Sequence, residues 1–389
     1  DIINGVKRAA ICAADYIDKY LVVNVRTEDQ IFSVATRFAY EDTWSAGKIA
    51  DAIDQFGKKP QFMVCKGKDA NSLGDKFSIK HGVVLRPGYK SPCFLDDTDG
   101  ARYARPIVLI VNVEISNFKN LKKIIADVKK TDRELILIAR SLTLNVLRQI
   151  HSHNLNKLPV QNRIIPVCFS KEFLNNNALV EDFGLIVGAK VCELEDLYPD
   201  NWTSGYHFGS AADVIVTKED ICFIITKGRA KLLRSVASSY FQVLKGSNSK
   251  ENRNLLKKRI RLLLNKVCLF ETGGQWKDVQ KRIGLLKEAI AKTMSAYRHG
   301  MVPGGGNSLI KCTNFPNISS IHERERMGYA LFQHQVMHHF AKYVGSAGNA
   351  AEIAETVKYL PTTHGFDNRS NEFCDLIESG LIEPLMVSF

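Results

Sequence analysis

Cysteine pairs at metal-binding or redox spacing are missing from this chain. Its nine cysteines, from Cys12 to Cys374, stand singly and none forms a C-x-x-C pair. That excludes zinc-ribbon and thioredoxin-type readings. An odd, dispersed set of thiols suits reduced cysteines in a core, and with them a mitochondrial matrix, a bacterial cytoplasm or a plastid in preference to a secreted protein. Long hydrophobic runs are missing as well. None approaches the ~18 residues that span a bilayer, so membrane insertion is not expected. The longest, residues 106–111, has the look of a buried strand. The chain starts at Asp1 without a Met and shows no signal peptide, as expected of a processed chain or of part of a longer one.

Metal-binding patterns are also incomplete. His334 and His338 stand four apart and can share a helix face, but no Glu lies between them as in a zinc-protease helix. With His339 they are read as helix surface, and His151 and His153 diverge on a helix. Asp96-Asp97-Thr-Asp99-Gly100 begins like a calcium loop and lacks its terminal Glu. No metal site is expected.

Acid is scarce in one stretch. The chain carries a net charge of +12. Residues 227–266 hold twelve Lys and Arg against a single acid, Glu251. Such a block is an electrostatic footprint for RNA or another anionic surface, with Lys257, Lys258, Arg259 and Arg261 at its centre. A solvated helical face is the alternative. Only Tyr240 and Phe241 interrupt the charges, which speaks against base stacking.

At 389 residues the chain is long for one core, and two or three domains are expected. Apolar residues at helical spacing mark residues 2–20 as an amphipathic helix. Thr27-Glu-Asp-Gln30 reads as a capping box opening a helix that reaches Phe38, and Asp42 introduces another that ends at Gly57. From there the period shortens. Strands are expected at 60–65, 83–85, 106–113 and 135–139, helices at 118–129 and 142–153, and short apolar runs at 163–168 and 184–188. This alternation implies an α/β module with a partly parallel sheet. A hairpin follows at 213–225, then two helices parted by residues 246–249, a strand at 267–271, and helices at 275–299, 323–344 and 350–358. The fold class is thus α/β within a multi-domain α+β chain: helices from both ends form a base around a discontinuous middle and an inserted head.

Between two of these helices lies Gly300-Met-Val-Pro-Gly-Gly-Gly306. Three glycines let a backbone approach another group closely, and the helix from Asn307 would open with unpaired N–H groups. A phosphate or a tight packing contact are the two readings. The full phosphate-loop pattern, with its Lys and Ser/Thr, is not present.

Several segments resemble group I chaperonins, the bacterial and mitochondrial type. Gly88-Tyr-Lys-Ser-Pro-Cys-Phe94 resembles their R-G-Y-x-S-P-Y-F, Ile115-Ser-Asn117 matches I-S-N, and the glycine segment resembles G-V-V-A-G-G-G. Ala354-Glu-Thr-Val-Lys358 and Gly380-Leu-Ile-Glu-Pro384 resemble A-N-T-V-K and G-I-L-D-P. Order and spacing agree along essentially the whole chain. The resemblance implies an equatorial-like domain from 1–21 and 299–389, an intermediate-like domain from 22–80 and 267–298, and an apical-like α/β domain from 81–266. It also implies ring formation, ATP with Mg²⁺ as cofactor, and unfolded protein as partner.

The departures are equally specific. The family's T-L-G-P-K-G-R and D-G-T-T-T phosphate loops have no counterpart in these residues. The Asp that orients the hydrolytic water corresponds to Glu288, one methylene longer, and such geometry tolerates little displacement. The nucleotide-contacting positions correspond to Gly304, Gly305, Gly306, Asp367 and Glu383, of which the glycines are unchanged. Polypeptide-binding positions correspond to Tyr89, Cys93, Phe94, Lys122, Ile125, Leu147, His151 and Ser152. Tyr89, Phe94, Ile125 and Leu147 stay apolar or aromatic, and each lost aliphatic removes roughly 1.5–3 kcal/mol of burial capacity. The expectation is a chaperonin-like shell without productive ATP hydrolysis and without a working cofactor, acting as a structural or assembly subunit of a larger complex in the mitochondrial matrix. The alternative is a working ATP-dependent chaperonin whose nucleotide-binding part lies outside this chain.

Overall fold

Five consecutive apolar side chains at Ile107–Val111 can be buried on both faces only in the middle of a sheet, and that is where the computed structural model puts them. It describes all residues except 58, 68–73, 87–99, 156–161, 275, 316–320, 346–347 and 386–389. By its internal contacts the chain divides into two units, Asp1–Lys59 with Gly284–Phe389, and Pro60–Ile283. The residues expected to form a middle part are shared between them.

In the second unit, Ile107–Ile115 lies between Leu135–Leu142 and Val191–Cys192, with Ile164–Cys168 beyond, all parallel. The two-residue period of the strands sorts their side chains. Val108, Ile110, Ile136, Ile138 and Ile165 point to one core, and Ile107, Leu109, Val111, Leu135 and Leu137 to another. Helices Lys122–Val128 and Leu144–Leu155 cover the second core, and Asn177–Val187 the first. The apolar run at 184–188 is the last turn of that helix, closed by left-handed Gly188. Gly184 in that turn faces Val191 and the carbonyl of Ala189, so no larger side chain would fit.

A six-stranded mixed sheet completes the unit, in the order Gln61–Lys66, Lys266–Thr272, Lys76–Leu85, Ile221–Ile224, Asp213–Val216, Ala101–Ala104. Its hairpin turns at Thr217, whose hydroxyl accepts the Asp220 N–H. Helices Lys227–Gly246 and Lys250–Leu264 follow as an antiparallel pair, the second capped by Ser249.

In the first unit, the Thr27–Gln30 capping box forms on both sides and opens Glu28–Phe38, and Asp42 caps Thr43–Phe56. Ile2–Tyr16 packs on Glu323–Val344 with backbone against backbone. A Cβ added to Gly328 would lie 2.3 Å from the Ile2 carbonyl and 2.7 Å from the Gly5 Cα. Glycine at both positions is what permits this approach.

Candidate functional site

After the helix Trp276–His299, Gly300 takes φ 87° and the chain enters a short strand, Met301–Pro303, antiparallel to Ile382–Pro384. This pairing sets Glu383 opposite Val302, one residue ahead of the glycines' own strand end. Gly304 N–H donates to the Leu381 carbonyl at 2.8 Å. Gly305 N–H donates to Glu383 Oε1 at 3.0 Å. Gly305 and Gly306 have φ of 63° and 74°, and Gly306 opens the helix Asn307–Lys311. A Cβ on Gly305 would lie 2.6 Å from the Tyr343 ring. The three glycines therefore make a close turn already filled by a carboxylate and an aromatic ring.

Asn307, fully buried, ties this turn to a second segment. Its amide donates to the carbonyls of Gly304 and Phe366 at 2.8 and 3.1 Å, and its oxygen accepts the Phe366 N–H at 2.9 Å. That places Asp367 beside the turn. Asp367 is itself buried and held by Arg369, with Nη2 2.7 Å from Oδ2 and Nε 3.0 Å from Oδ1. These hydrogen bonds hold its carboxyl below the usual range. Tyr343 accepts the Asn368 N–H at 3.0 Å. At the other end of the short helix, buried Lys311 donates to the carbonyls of Val357, Leu360 and Pro361 at 2.8–3.0 Å. It satisfies orphan acceptors at the C-terminal end of Ala350–Tyr359, where a cation is favoured.

The structure thus brings Gly304, Gly305, Gly306, Asp367 and Glu383 together around Asn307. Glu288 is engaged differently: on an exposed face of its helix it pairs with Lys292 at 2.6 Å.

Of the four expected polypeptide-binding residues, the structure differs at Ile125. Tyr89 and Phe94 lie outside the described residues. Ile125 points into the core with Ile124 and Val128, because three apolar residues on so short a helix all turn to the sheet. Leu147 is half-buried against the same cluster. The exposed aliphatics of the neighbouring helix are Leu144 and Leu155.

The basic stretch also divides. Lys257, Lys258 and Arg261 are exposed, as are Lys227, Lys231, Arg234, Lys245, Lys250 and Arg253. Arg259, expected among the outward charges, turns inward. It donates to both oxygens of Asp182 at 2.7 and 2.8 Å. Asp182 is fully buried and is 77 residues away in the chain. Arg259 is therefore a structural cation and not part of the patch.

One group of chemically capable side chains went unnoticed in the sequence. Cys192, Asp196 and His207 come within 4.8 Å of one another in the second unit. The spacing C-x3-D-x10-H was the available signal, and it matches no common ligand pattern.

No protein-family model matches this sequence. Among solved structures, the chain is similar to the chaperonin gp146 from the bacteriophage EL 2 (Pseudomonas aeruginosa), crystallised in the presence of ATP-BeFx. The match has a TM-score of 0.57 at 15% identity and covers 99% of this chain and 75% of that one. A second crystal form of gp146 aligns over the same shares at the same identity, with a TM-score of 0.48. With helices and sheets matched along its full length, the chain has a chaperonin-like fold.

Proposed function

We propose that this chain is a chaperonin-derived shell of the group I type, serving as a structural or assembly subunit of a larger complex without productive ATP turnover. The supporting observation is the Glu383 carboxylate on the Gly305 N–H. A phosphate bound at that turn would need this donor and would meet a like charge. Two unit charges 4 Å apart repel by about 4 kcal/mol near a protein surface. The exposed cations of the helical pair Lys227–Gly246 and Lys250–Leu264 would face an anionic partner, RNA first among them. None of the eight described cysteines is in a disulfide, which suits a reducing compartment such as the mitochondrial matrix.

A second reading is a working ATP-dependent chaperonin. What favours it is the gathering of Asp367 and Glu383 at the glycine turn, the arrangement that the chaperonin resemblance implies for a nucleotide.

An ATPase assay on the purified full-length protein separates the two. The first reading expects no turnover above that of a Glu288→Ala variant. Turnover that Glu288→Ala abolishes would establish the second reading and sink the first. For the basic helices, RNA affinity should fall steeply with salt, and more gently in a Lys257→Ala, Lys258→Ala, Arg261→Ala triple variant. A flat salt response would remove RNA as the partner.

A further inference from the structure

Strand Val191–Cys192 pairs with the central strand Ile107–Ile115 and carries the Cys192 thiol into the interior, at 0% exposure. The 3₁₀ turn Glu195–Leu197 then folds Asp196 back over it, and the Glu193 N–H donates to Asp196 Oδ2 at 2.9 Å. The short helix Ser204–His207 brings His207 to the same place. His207 is 2% exposed, and its ring stacks on Trp202 with centroids 4.8 Å apart and planes 14° from parallel. The stack on Trp202 and an edge contact with Tyr206 leave this imidazole little choice of orientation.

The backbone of Thr203 brackets His207 Nδ1, with its carbonyl at 2.8 Å and its N–H at 3.1 Å. A carbonyl can only accept and an N–H can only donate, so the carbonyl contact belongs to the tautomer with its proton on Nδ1 and its lone pair on Nε2, and the N–H contact to the tautomer with its proton on Nε2. That nitrogen has no hydrogen-bond partner among the described residues. It points to Asp196 Oδ1 at 3.6 Å, beyond hydrogen-bonding reach. In the first tautomer the carbonyl fixes Nδ1 and Nε2 is offered, the arrangement of a metal-bound histidine, and a metal at Nε2 would select it.

The geometry points to a Zn²⁺ site formed by Cys192 Sγ, Asp196 Oδ1 and His207 Nε2, with a fourth position left to solvent. A mixed sulfur, oxygen and nitrogen donor set suits Zn²⁺ better than Mg²⁺ or Ca²⁺, which take oxygen. Tetrahedral bonds of about 2.0–2.3 Å put donors roughly 3.3–3.8 Å apart. The three donors, within 4.8 Å of one another, need to close by only about 1 Å. One protein cation competes with the metal: Lys190 Nζ holds Asp196 Oδ1 at 2.5 Å. Its side chain is one-third exposed and runs past the Tyr206 ring, so the ammonium can swing outward when a divalent ion takes the carboxylate.

The test uses the full chain, reduced and stripped with a chelator, with Co²⁺ as probe and Zn²⁺ as competitor. One Co²⁺ per chain should bind with the absorption of a thiolate-to-cobalt transition, and Zn²⁺ should displace it. Cys192→Ser should lose that absorption, and Asp196→Asn or His207→Ala should weaken uptake by at least about tenfold. Lys190→Met should tighten uptake several-fold, and this arm decides the matter if the ligand variants do not fold. The pair His334→Ala with His338→Ala should bind as the parent does. No Co²⁺ uptake by the folded chain, an intact thiolate band in Cys192→Ser, or unaltered affinity in Lys190→Met would each overturn the site.

Discussion

Two of the buried polar clusters of the Pro60–Ile283 unit, those around Asp182 and Asp196, differ in how completely the described residues satisfy them. Around Asp182, every contact closes on protein: both carboxylate oxygens take Arg259, Tyr240 donates its hydroxyl at 2.9 Å, and the guanidinium lies 4.4 Å over the Tyr240 ring. The cluster pins Asn177–Val187, Lys227–Gly246 and Lys250–Leu264 to one another. Around Asp196, the same inventory leaves His207 Nε2 over. A buried polar group without a partner costs free energy that folding has to offset. A closed cluster therefore speaks for architecture, and an open one for something that arrives from outside.

Breaking the closed cluster should have the largest effect. Arg259→Ala strands a fully buried carboxylate, and its expected cost is about 3–5 kcal/mol by denaturant unfolding. Replacing both partners, Arg259→Met with Asp182→Leu, should recover part of that loss. If Arg259→Ala costs less than about 1 kcal/mol, the contrast between the clusters fails. Lys311 in the first unit is a further closed case, since all its donors are used on carbonyls. Lys311→Met should cost roughly 2–4 kcal/mol, because three backbone acceptors lose their donor. Lys190→Met, in the open cluster, removes a cation that is partly in water and should cost under about 1 kcal/mol in metal-free protein.

The smallest effect is a pH slope. Burial, and then the neighbouring Arg234 and Lys266, lower the pKa of His81 from its ordinary 6.5. The unfolded chain then binds the proton more readily than the folded one, so the stability contribution is present above 6.5 and is lost as pH falls below it. Melting temperature should fall with acidification more gently in His81→Gln than in the parent. Equal slopes would show that neither burial nor the two cations shift His81.

Much of the fold was legible because its causes are local. The alternation of cores along Ile107–Val111, the reciprocal cap at Thr27 and Gln30, and the hairpin at Thr217 each depend on neighbours a few residues away. The glycine turn was legible as a turn, and the chaperonin resemblance named its companions Asp367 and Glu383. What failed depended on distance. In a block of twelve cations, nothing local marks Arg259 as the one that meets a buried aspartate far along the chain. Ile125 has the same composition as a groove residue and is turned inward by a short helix pressed on a sheet. The run at 184–188 is as apolar as a strand, and only the left-handed Gly188 behind it reveals a helix end. The Cys192, Asp196 and His207 trio meets through a strand end, a 3₁₀ turn and a four-residue helix, none of which announces itself by periodicity.

Glu383 gives the glycine turn a resident competitor. Strand pairing at Val302 tethers its carboxylate beside the Gly305 N–H, so it acts at an effective local concentration of millimolar or more, whatever the solution contains. An anion from outside must displace a ligand that never diffuses away. The turn is thus gated by composition at one position, and Glu383→Gln would lower that threshold without moving the backbone that sets it.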